Sequence, residues 1–486
     1  MFKIKDAFVR EQKRYSKQDL KKLFSFGENE IEIFIRKLKS YGVLKAVKKE
    51  TANMTDLLDE DILVTDESAG DNECLYVFTY VGVITVGNRI IKAYPKYIFS
   101  PNDLLGKMKQ IMKVLQKYNN SKEQIINIYN GSDENKSFNI LAVILFLLND
   151  YYEYGIYSNY EDINEVNGEG DIIWGKTIDE GFAFIHNNRP YYTELYTHRS
   201  LDDELDFFKR LHKCVITECS KQLKDSQLEE LFQLDSVVLT DEKIFDLGDE
   251  EYILEQILKE LNLQFNTRKQ ILLKTLYAYI SQNKKLIEND ASISMFGTNA
   301  FNMVWEKACA DVFDNKLNSR LADLGLSSPL NKDLYNENDS LADVIPKPAW
   351  IKNDITKHAS KTLKPDLICI SKINDVDCFL ILDAKYYNLK LEKDILSGTP
   401  GVEDIDKQYL YQLAYKDFIE SQKFQRVINC FLMPTECDDV IDAGIVKMPI
   451  FAGLNLVDIT VRKFPAKILF EHYLTQQKYS LSKMNF

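Results

Sequence analysis

The sequence has few of the residues that mark fibrous or disordered chains. Of its 486 residues only 19 are glycine and 11 are proline, whereas 45% are hydrophobic and 12% are aromatic. These proportions exclude collagen-like and disordered classes. At about 100 to 200 residues per domain, the length predicts about two to four packed domains.

Long apolar runs are also missing. The longest covers residues 140–148, which is less than half of the ~20 residues that a membrane-spanning helix needs. The opening Met1-Phe2-Lys3 lacks the pattern of a signal peptide. We therefore expect a soluble, cytoplasmic protein without a membrane partner.

Common metal, disulfide and nucleotide motifs are absent too. The eight cysteines form no C-x-x-C pair and the five histidines lack zinc-ligand spacing, so we expect reduced structural cysteines and no zinc site. The sequence has no G-x-x-x-x-G-K-[ST] phosphate loop. Any nucleotide hydrolysis therefore has to come from another polypeptide.

Positive charge is scarce and unevenly placed. The chain has 61 Lys and Arg against 74 Asp and Glu, a net charge of -13. Residues 1–50 nevertheless carry fourteen bases and seven acids, and residues 51–73 carry eight acids and no base. A chain with this balance gains little from counterion release and would bind DNA weakly by itself.

The basic N-terminal stretch has the pattern of two short helices. Ser16 is a good N-cap for a helix that reaches Phe24, and apolar residues at helical spacing from Ile31 predict a second helix that Gly42 ends. Two such helices before a strand are typical of a winged helix. Two alternatives remain open for this module. It contacts DNA or a partner protein, or it is a solvated pair of amphipathic helices.

The middle of the chain changes between strand and helix patterns. Residues 75–98 are rich in β-branched and aromatic residues around a Gly87-Asn88 turn, which predicts a hairpin or small sheet. Apolar spacing predicts helices over residues 103–118, 136–152 and 205–223. A glycine-rich turn with a strand-like segment at 172–174 lies within residues 168–178.

A second hairpin pattern carries the most informative residues. Residues 367–370 and 379–382 read as strands joined by a turn at Asn374-Asp375. Asp366 precedes the first strand and Asp383 follows the second. Because the strands of a hairpin are antiparallel, we expect both carboxylates at the same end.

Lys385 completes this group. In an extended chain, residues two apart point to the same face, so Lys385 projects with Asp383. The oxygens of Asp366, of Asp383 and of the Ala384 carbonyl suit Mg2+, and Lys385 would orient the attacking water in phosphodiester hydrolysis. The alternative is a hairpin with charged ends and a surface salt bridge, since D-x-K is frequent by chance.

Two predicted helices add candidate site residues. Glu306 lies on an amphipathic helix over residues 299–313 and is a candidate third ligand or holder of a metal-bound water. A helix over residues 405–420 carries a stripe of Gln408, Tyr411, Gln412 and Tyr415 at i, i+3, i+4 and i+7. Its polar tips Gln408, Gln412 and Tyr415 are candidates for contact with the DNA backbone or for support of the metal site, and a packed amphipathic helix is the alternative.

Together these residues resemble a nuclease signature. Glu306, Pro365-Asp366 and Asp383-Ala384-Lys385 look like the PD-(D/E)XK nuclease superfamily. "YVGVITVGNRIIKAYPKY", "GEGDIIWGKTI" and "YQLAY" resemble elements of the LlaJI family of restriction endonucleases and of the McrC nuclease subunit. The resemblance spans roughly residues 75–430 and leaves residues 1–60 unplaced.

The resemblance implies a Mg2+-dependent subunit of a type II or modification-dependent site-specific endonuclease, with Mn2+ as a substitute metal. It would cleave double-stranded DNA in host defence, beside a McrB-like AAA+ partner that uses GTP and a cognate DNA methyltransferase. Two rival hypotheses remain: a non-catalytic winged-helix DNA-binding or scaffold protein, and a repair or recombination nuclease of the same superfamily.

The expected fold class is multi-domain α/β. We predict a basic winged-helix-like module over residues 1–60 and a partner-docking β region over 61–100. A mostly helical middle with a small β element would cover 101–285. The PD-(D/E)XK nuclease domain, a mixed sheet flanked by helices, would cover 286–486.

Overall fold

A computed structural model of the chain describes residues 5–51, 56, 62, 74–86, 89–119, 140–202, 204–288, 293–331, 333–484 and 486. The predicted Gly87-Asn88 turn and most of the acidic stretch 51–73 lie outside these residues. The fold is mixed α/β. One unit combines residues 1–125 with residues 296–486, and residues 126–295 form the other.

Most of the helices that the sequence predicts are present among the described α-helices. They are Lys17–Phe24 (α1), Glu28–Ser40 (α2), Leu104–Asn119 (α3), Ile140–Tyr154 (α4), Trp174–Glu180 (α5), Phe207–Asp225 (α6), Glu229–Phe232 (α7), Glu250–Leu263 (α8), Thr267–Glu288 (α9), Phe301–Val312 (α10), Val402–Ala414 (α11), Lys416–Ser421 (α12) and Ala466–Thr475 (α13). Short 3-10 helices cover Lys49–Thr51, Ile244–Leu247, Leu321–Asp323, Leu341–Val344, Pro449–Leu454 and Leu481–Met484.

The described strands form several mixed or antiparallel sheets. They are Lys5–Arg10 (β1), Arg14–Tyr15 (β2), Leu44–Lys48 (β3), Cys74–Phe78 (β4), Val81–Val86 (β5), Arg89–Tyr94 (β6), Tyr160–Val166 (β7), Asp171–Ile172 (β8), Ala183–His186 (β9), Arg189–Tyr192 (β10), Tyr196–Asp202 (β11), Ile293–Thr298 (β12), Ala349–Lys352 (β13), Ile355–His358 (β14), Leu367–Ile373 (β15), Val376–Ala384 (β16), Lys390–Glu392 (β17), Ile395–Ser397 (β18), Arg426–Thr435 (β19), Ile441–Val446 (β20) and Ile459–Pro465 (β21).

The basic N-terminal segment folds as its pattern predicts. The Ser16 hydroxyl caps α1 by accepting a hydrogen bond from the amide of Asp19. Past the end of α2, Gly42 has a φ of +67°, the left-handed conformation that ends helices and favours glycine. Strand β3 then pairs with β4 in a three-stranded sheet of order β2-β4-β3. Two helices followed by an antiparallel pair give the element order of a winged helix.

The C-terminal segment is built on a five-stranded mixed sheet of order β15-β16-β19-β21-β20. Strands β15 and β16 are antiparallel, and β16, β19 and β21 run parallel. Helices α11 and α12 pack Tyr415 and Phe418 against Phe379 of β16 in an apolar cluster. This packing fixes the end of β16, where the predicted acidic residues lie.

A buried polar junction joins the first and last parts of the chain within one unit. The carboxylate of Glu11, 6% exposed, accepts hydrogen bonds from the Tyr386 hydroxyl at 2.6 Å and from the Lys96 amide at 3.0 Å. The Lys96 ammonium pairs with Asp56, and Asn388 donates to the Lys96 carbonyl. The N-terminal strands are therefore fastened to the chain that directly follows β16.

This junction predicts a pH-dependent stability. Burial raises the pKa of Glu11 above its usual range, so the folded state holds a proton that the unfolded state releases near pH 4.5. The contribution of Glu11 to the free energy of unfolding is fully present below that pH. It decreases as the pH rises towards the pKa of Glu11 in the folded state. We expect Glu11→Gln to remove this decline in chemical unfolding measured at a series of pH values above 4.5. An equal pH slope in both proteins would contradict the assignment.

The second unit is mainly helical with small β elements. Its helices α4, α6, α8 and α9 pack together, and Arg268 holds the buried carboxylate of Asp150 with two hydrogen bonds of 3.0 and 2.7 Å. His212 is fully buried, where its Nδ1 accepts from the Tyr157 amide at 2.9 Å. Burial lowers the His212 pKa to about 3, so this histidine is a neutral core residue.

Two local predictions are wrong. The strand-like segment 172–174 ends at Ile172, and Trp174 begins helix α5. The single helix predicted over 405–420 is broken at Tyr415, which separates α11 from α12. Of the described helices, none is long and apolar enough to cross a membrane.

Candidate active site

The predicted acidic hairpin is confirmed. Strands β15 and β16 pair from Leu367 opposite Leu382 to Ile373 opposite Val376. Asn374 and Asp375 form the two-residue turn with φ values of 51° and 62°. A turn with two positive φ angles matches the twist of a hairpin and favours Asn and Asp. The turn thus sets the register that brings residue 366 opposite the end of β16.

Asp366 lies against that end. Its Oδ2 accepts a hydrogen bond of 3.1 Å from the Ala384 amide. Its backbone carbonyl accepts from the Asn315 side chain at 2.9 Å, and Asn315 also accepts from the Ile368 amide at 3.0 Å. Both the side chain and the backbone of Asp366 are therefore held by fixed donors.

Asp383 is the most buried charged group of the hairpin, at 4% exposure. Burial raises the pKa of Asp383 well above the usual range, and a hydrogen bond with Asp366 and the charge of Asp366 raise it further. The charge of Lys385 opposes this shift. No N–H or O–H group of the described residues donates to its Oδ1 atom. Two carboxyl groups this close require a shared proton or a cation between them.

Lys385 lies beside the carboxylate pair. Its Nζ is 3.2 Å from Asp383 Oδ2 and 3.0 Å from Asp404 Oδ1. These two carboxylates raise its pKa despite its partial burial, so the side chain stays protonated at physiological pH. The structure therefore brings Asp366, Asp383 and Lys385 together at one end of the sheet.

Glu306 approaches the same place from helix α10. Neighbouring Trp305 is fully buried and donates its indole N–H to the Leu432 carbonyl of β19 at 3.2 Å, which fixes this turn of the helix. Burial raises the pKa of Glu306, and the negative charge of Asp366 raises it further. The positive charges of Lys385 and Lys364 lower it. A half-buried third carboxyl group therefore lies near enough to Asp366 to interact with its charge.

The polar stripe on α11 lies inside the protein. Gln408 and Tyr415 are fully buried and Gln412 is 5% exposed. Gln408 donates to the Ile381 carbonyl of β16 at 3.1 Å, and the Tyr415 hydroxyl donates to Leu341 at 2.9 Å. Their burial favours support of the site from inside the protein over contact with the DNA backbone. Support of the metal site, their other predicted role, stays a prediction.

The sequence interpretation missed Asp404. It lies in the first turn of α11, four residues before Gln408, so the stripe extended back by one turn leads to it. Tyr411 of the same stripe is close enough for Asp383 and Asp366 to contribute to its pKa, which burial raises to about 12. Tyr411 belongs to the stripe that the sequence predicts, whereas Asp404 is reached only by continuing that stripe back by one turn.

The donor set is one that a hard cation prefers. Buried carboxylate oxygens without donors, next to a lysine, suit Mg2+ or Mn2+. Across the described ranges, however, no three His, Cys, Asp or Glu side chains form a metal site by themselves. A cation at Asp366 and Asp383 would therefore complete its shell with backbone carbonyl, water or phosphate oxygens, as Mg2+ commonly does.

Comparison with known proteins adds the following. The family described as LlaJI restriction endonuclease matches residues 80–333 and 330–461, well over half of the chain. A curated protein of Bacillus subtilis (strain 168), "Type II restriction enzyme BsuMI component YdjA", is 29% identical over 456 residues, covering 90% of this chain and 89% of the relative.

Two solved structures are also similar, at low scores. The first is a half-complex of Thermococcus gammatolerans McrB AAA+ hexamers with bound McrC, at 11% identity and a TM-score of 0.38 over 97% of this chain and 99% of the other. The second is the Thermococcus gammatolerans McrBC complex, at 13% identity and a TM-score of 0.22 over 57% and 79%.

Proposed function

Because this chain belongs to the LlaJI restriction endonuclease family, we propose that it is the nuclease subunit of a restriction system and that it cleaves double-stranded DNA with Mg2+. The active site is the group at the end of β15 and β16, in a nuclease domain of the PD-(D/E)XK type. The reaction is hydrolysis of a phosphodiester bond.

Each side chain has a distinct role in this proposal. Asp366 and Asp383, with the Ala384 carbonyl, would hold the cation, which would supply charge neutralisation at the phosphate and activation of water. Lys385 stays protonated and orients the attacking water. Glu306, half-buried near Asp366, would help to orient water beside the cation.

The observation that carries the proposal is the burial of Asp383 with one unpaired oxygen beside Asp366. In a non-catalytic scaffold these acids would be solvated hairpin ends, and burying them together would only destabilise the fold. A cation site explains why the fold keeps two carboxyl groups in contact. Strain of this kind is typical of functional sites.

The proposed partners are a McrB-like AAA+ GTPase and a DNA methyltransferase of the same system. Support for a separate motor comes from the absence of a phosphate loop in the sequence and from the net charge of -13. The described part of the predicted docking region 61–100 mainly forms the strands β4, β5 and β6, whose side chains are mostly buried. Docking of the partner on this region stays a prediction.

Metal binding tests the site without requiring a partner. We expect calorimetry to show Mg2+ or Mn2+ binding to the wild-type chain and at least about tenfold weaker binding to Asp366→Asn, which removes one ligand charge. Because the apo site holds a proton at Asp383, metal binding should release it, and the affinity should increase with pH up to the raised pKa. Equal binding by both proteins would reject the site.

Cleavage tests the function. The chain is incubated with candidate partners, GTP, and methylated or unmethylated plasmid, once with Mg2+ and once with Ca2+ as the control metal. We expect cleavage with Mg2+, and only in the presence of a partner. The methylation state of the cleaved plasmid separates restriction from modification-dependent restriction, and metal binding without any cleavage would contradict the nuclease assignment.

A further inference from the structure

A free-standing hairpin lies just before the catalytic hairpin in the chain. Strands β13 and β14 pair antiparallel, and every residue from 349 to 358 is exposed. Isolated two-stranded ribbons are marginally stable in water. At its base, the Ala359 amide donates to the Pro348 carbonyl and the Thr362 hydroxyl donates to the Pro346 carbonyl, both at 2.8 Å.

The hairpin and the residues on either side of it carry positive charge in an acidic chain. Residues 347–364 contain five lysines and one histidine against the single acid Asp354, while the whole chain has a net charge of -13. The lysines are Lys347, Lys352, Lys357, Lys361 and Lys364. A positively charged segment of this kind attracts a polyanion. The net negative charge of the chain as a whole disfavours binding of that polyanion elsewhere.

One face of the ribbon combines this charge with a large ring. The pairing places Trp350 opposite Lys357 and Lys352 opposite Ile355, so alternation along the strands puts these four side chains on one face. Trp350 is 74% exposed and Ile355 is 63% exposed. Exposed aromatic and lysine side chains on one face are suited to the sugars, base edges and phosphates of a nucleic acid.

The ribbon is also close to the proposed active site. His358 ends β14 eight residues before Asp366, which at ~3.3 Å per residue keeps the ribbon's base within about 26 Å of it. That distance corresponds to about eight base pairs of duplex. At the near end, the charge of Lys364 acts on Glu306 of the site itself.

We infer that the β13–β14 hairpin is a DNA-contacting arm of the nuclease, which lies in a groove of the duplex beside the bond to be cleaved. A two-stranded ribbon fits the major groove of B-DNA. Lys352 and Lys357 contact phosphates, and Trp350 packs against sugars or base edges. The inference rests on the proposed function, because it takes duplex DNA as the substrate.

DNA affinity tests the arm separately from catalysis. Fluorescence anisotropy with a labelled duplex, in Ca2+ and from about 50 to 200 mM salt, measures both affinity and its salt dependence. We expect Lys352→Ala/Lys357→Ala to bind about tenfold more weakly, with a salt slope smaller by about two. Trp350→Ala should weaken binding about tenfold with an unchanged slope, because it removes no charge.

A matched control carries the same charge change elsewhere. Lys259 and Lys274 are exposed lysines on helices α8 and α9, and Lys259→Ala/Lys274→Ala should change the affinity less than about twofold. Equal effects of the two double variants would overturn the inference. So would hairpin variants that bind DNA like the wild type but lose a protein partner, and so would a wild-type chain that binds no duplex at the lowest salt.

Trp350 itself provides a direct signal. Of the three tryptophans, Trp305 is buried and Trp174 can be replaced by phenylalanine, which leaves Trp350 as the exposed emitter. Duplex should protect its fluorescence from acrylamide quenching, and unchanged quenching would overturn the inference. The variants of the arm should bind Mg2+ like the wild type. If the wild type itself does not bind Mg2+ or does not cleave DNA, that result rejects the proposed function but not the contact between the arm and DNA.

Discussion

Replacing Asp383 by asparagine is expected to reduce Mg2+-dependent DNA cleavage at least about a thousandfold, because the cation loses a charged ligand. The fold should not suffer. Asp383 is buried beside Asp366 and its pKa is raised, so the neutral amide removes an unfavourable charge. In the absence of divalent metal, the variant should therefore unfold at the same temperature as the wild type or at a higher one.

Adding Mg2+ separates the two effects. The wild type should be stabilised by the cation and the variant should not, because only the folded protein with both carboxylates binds it. Asp377→Asn is the matched control, since Asp377 lies on the same strand at the opposite end of the hairpin. Cleavage by Asp383→Asn at the rate of Asp377→Asn would remove the basis of the proposed mechanism.

Replacing Lys385 by methionine should also abolish most cleavage, by about a hundredfold to a thousandfold, because the attacking water is no longer oriented by a cationic donor. Here stability should fall as well. Without the ammonium, Asp383 and Asp404 keep their positions but lose the charge that lies 3.2 and 3.0 Å from them. Breaking a partly buried ion pair on one side leaves the acids uncompensated.

The same substitution at Lys307 is the control. Lys307 forms an exposed ion pair with Asp311 at 2.9 Å on helix α10, and such pairs contribute about 0 to 1 kcal/mol. Lys307→Met should leave both the cleavage rate and the thermal midpoint close to those of the wild type. If Lys385→Met behaves in the same way, Lys385 belongs to a surface salt bridge and not to a catalytic group.

Local signals predicted much of the fold. Ser16 capped a helix, Gly42 ended the next one, and Asn374-Asp375 formed the two-residue turn of the β15–β16 hairpin. Each of these depends on a few neighbouring residues, so composition and spacing suffice. Trp174 shows the limit, because a short apolar segment is compatible with strand or helix and the surrounding structure decides.

The candidate site was only partly predictable. Asp366, Asp383 and Lys385 are joined by one hairpin, whereas Asp404 reaches Lys385 across nineteen residues and a helix start. The burial of Gln408 and Tyr415 depends on how α11 packs on the sheet, which spacing along one helix does not reveal. The contact between Glu11 and Tyr386 joins residues 375 apart and has no local signal at all.

The first unit is built from two separate parts of the chain, and this affects when the proposed active site can form during synthesis. Its two parts, residues 1–125 and 296–486, are separated by the whole second unit, and strand β21 near the C-terminus lies beside β19 in the sheet that supports the site. A ribosome that stalls before this strand releases a chain without a complete sheet. Premature termination before β21 therefore removes the strand that supports β19, and we expect such a fragment to lack the proposed nuclease activity.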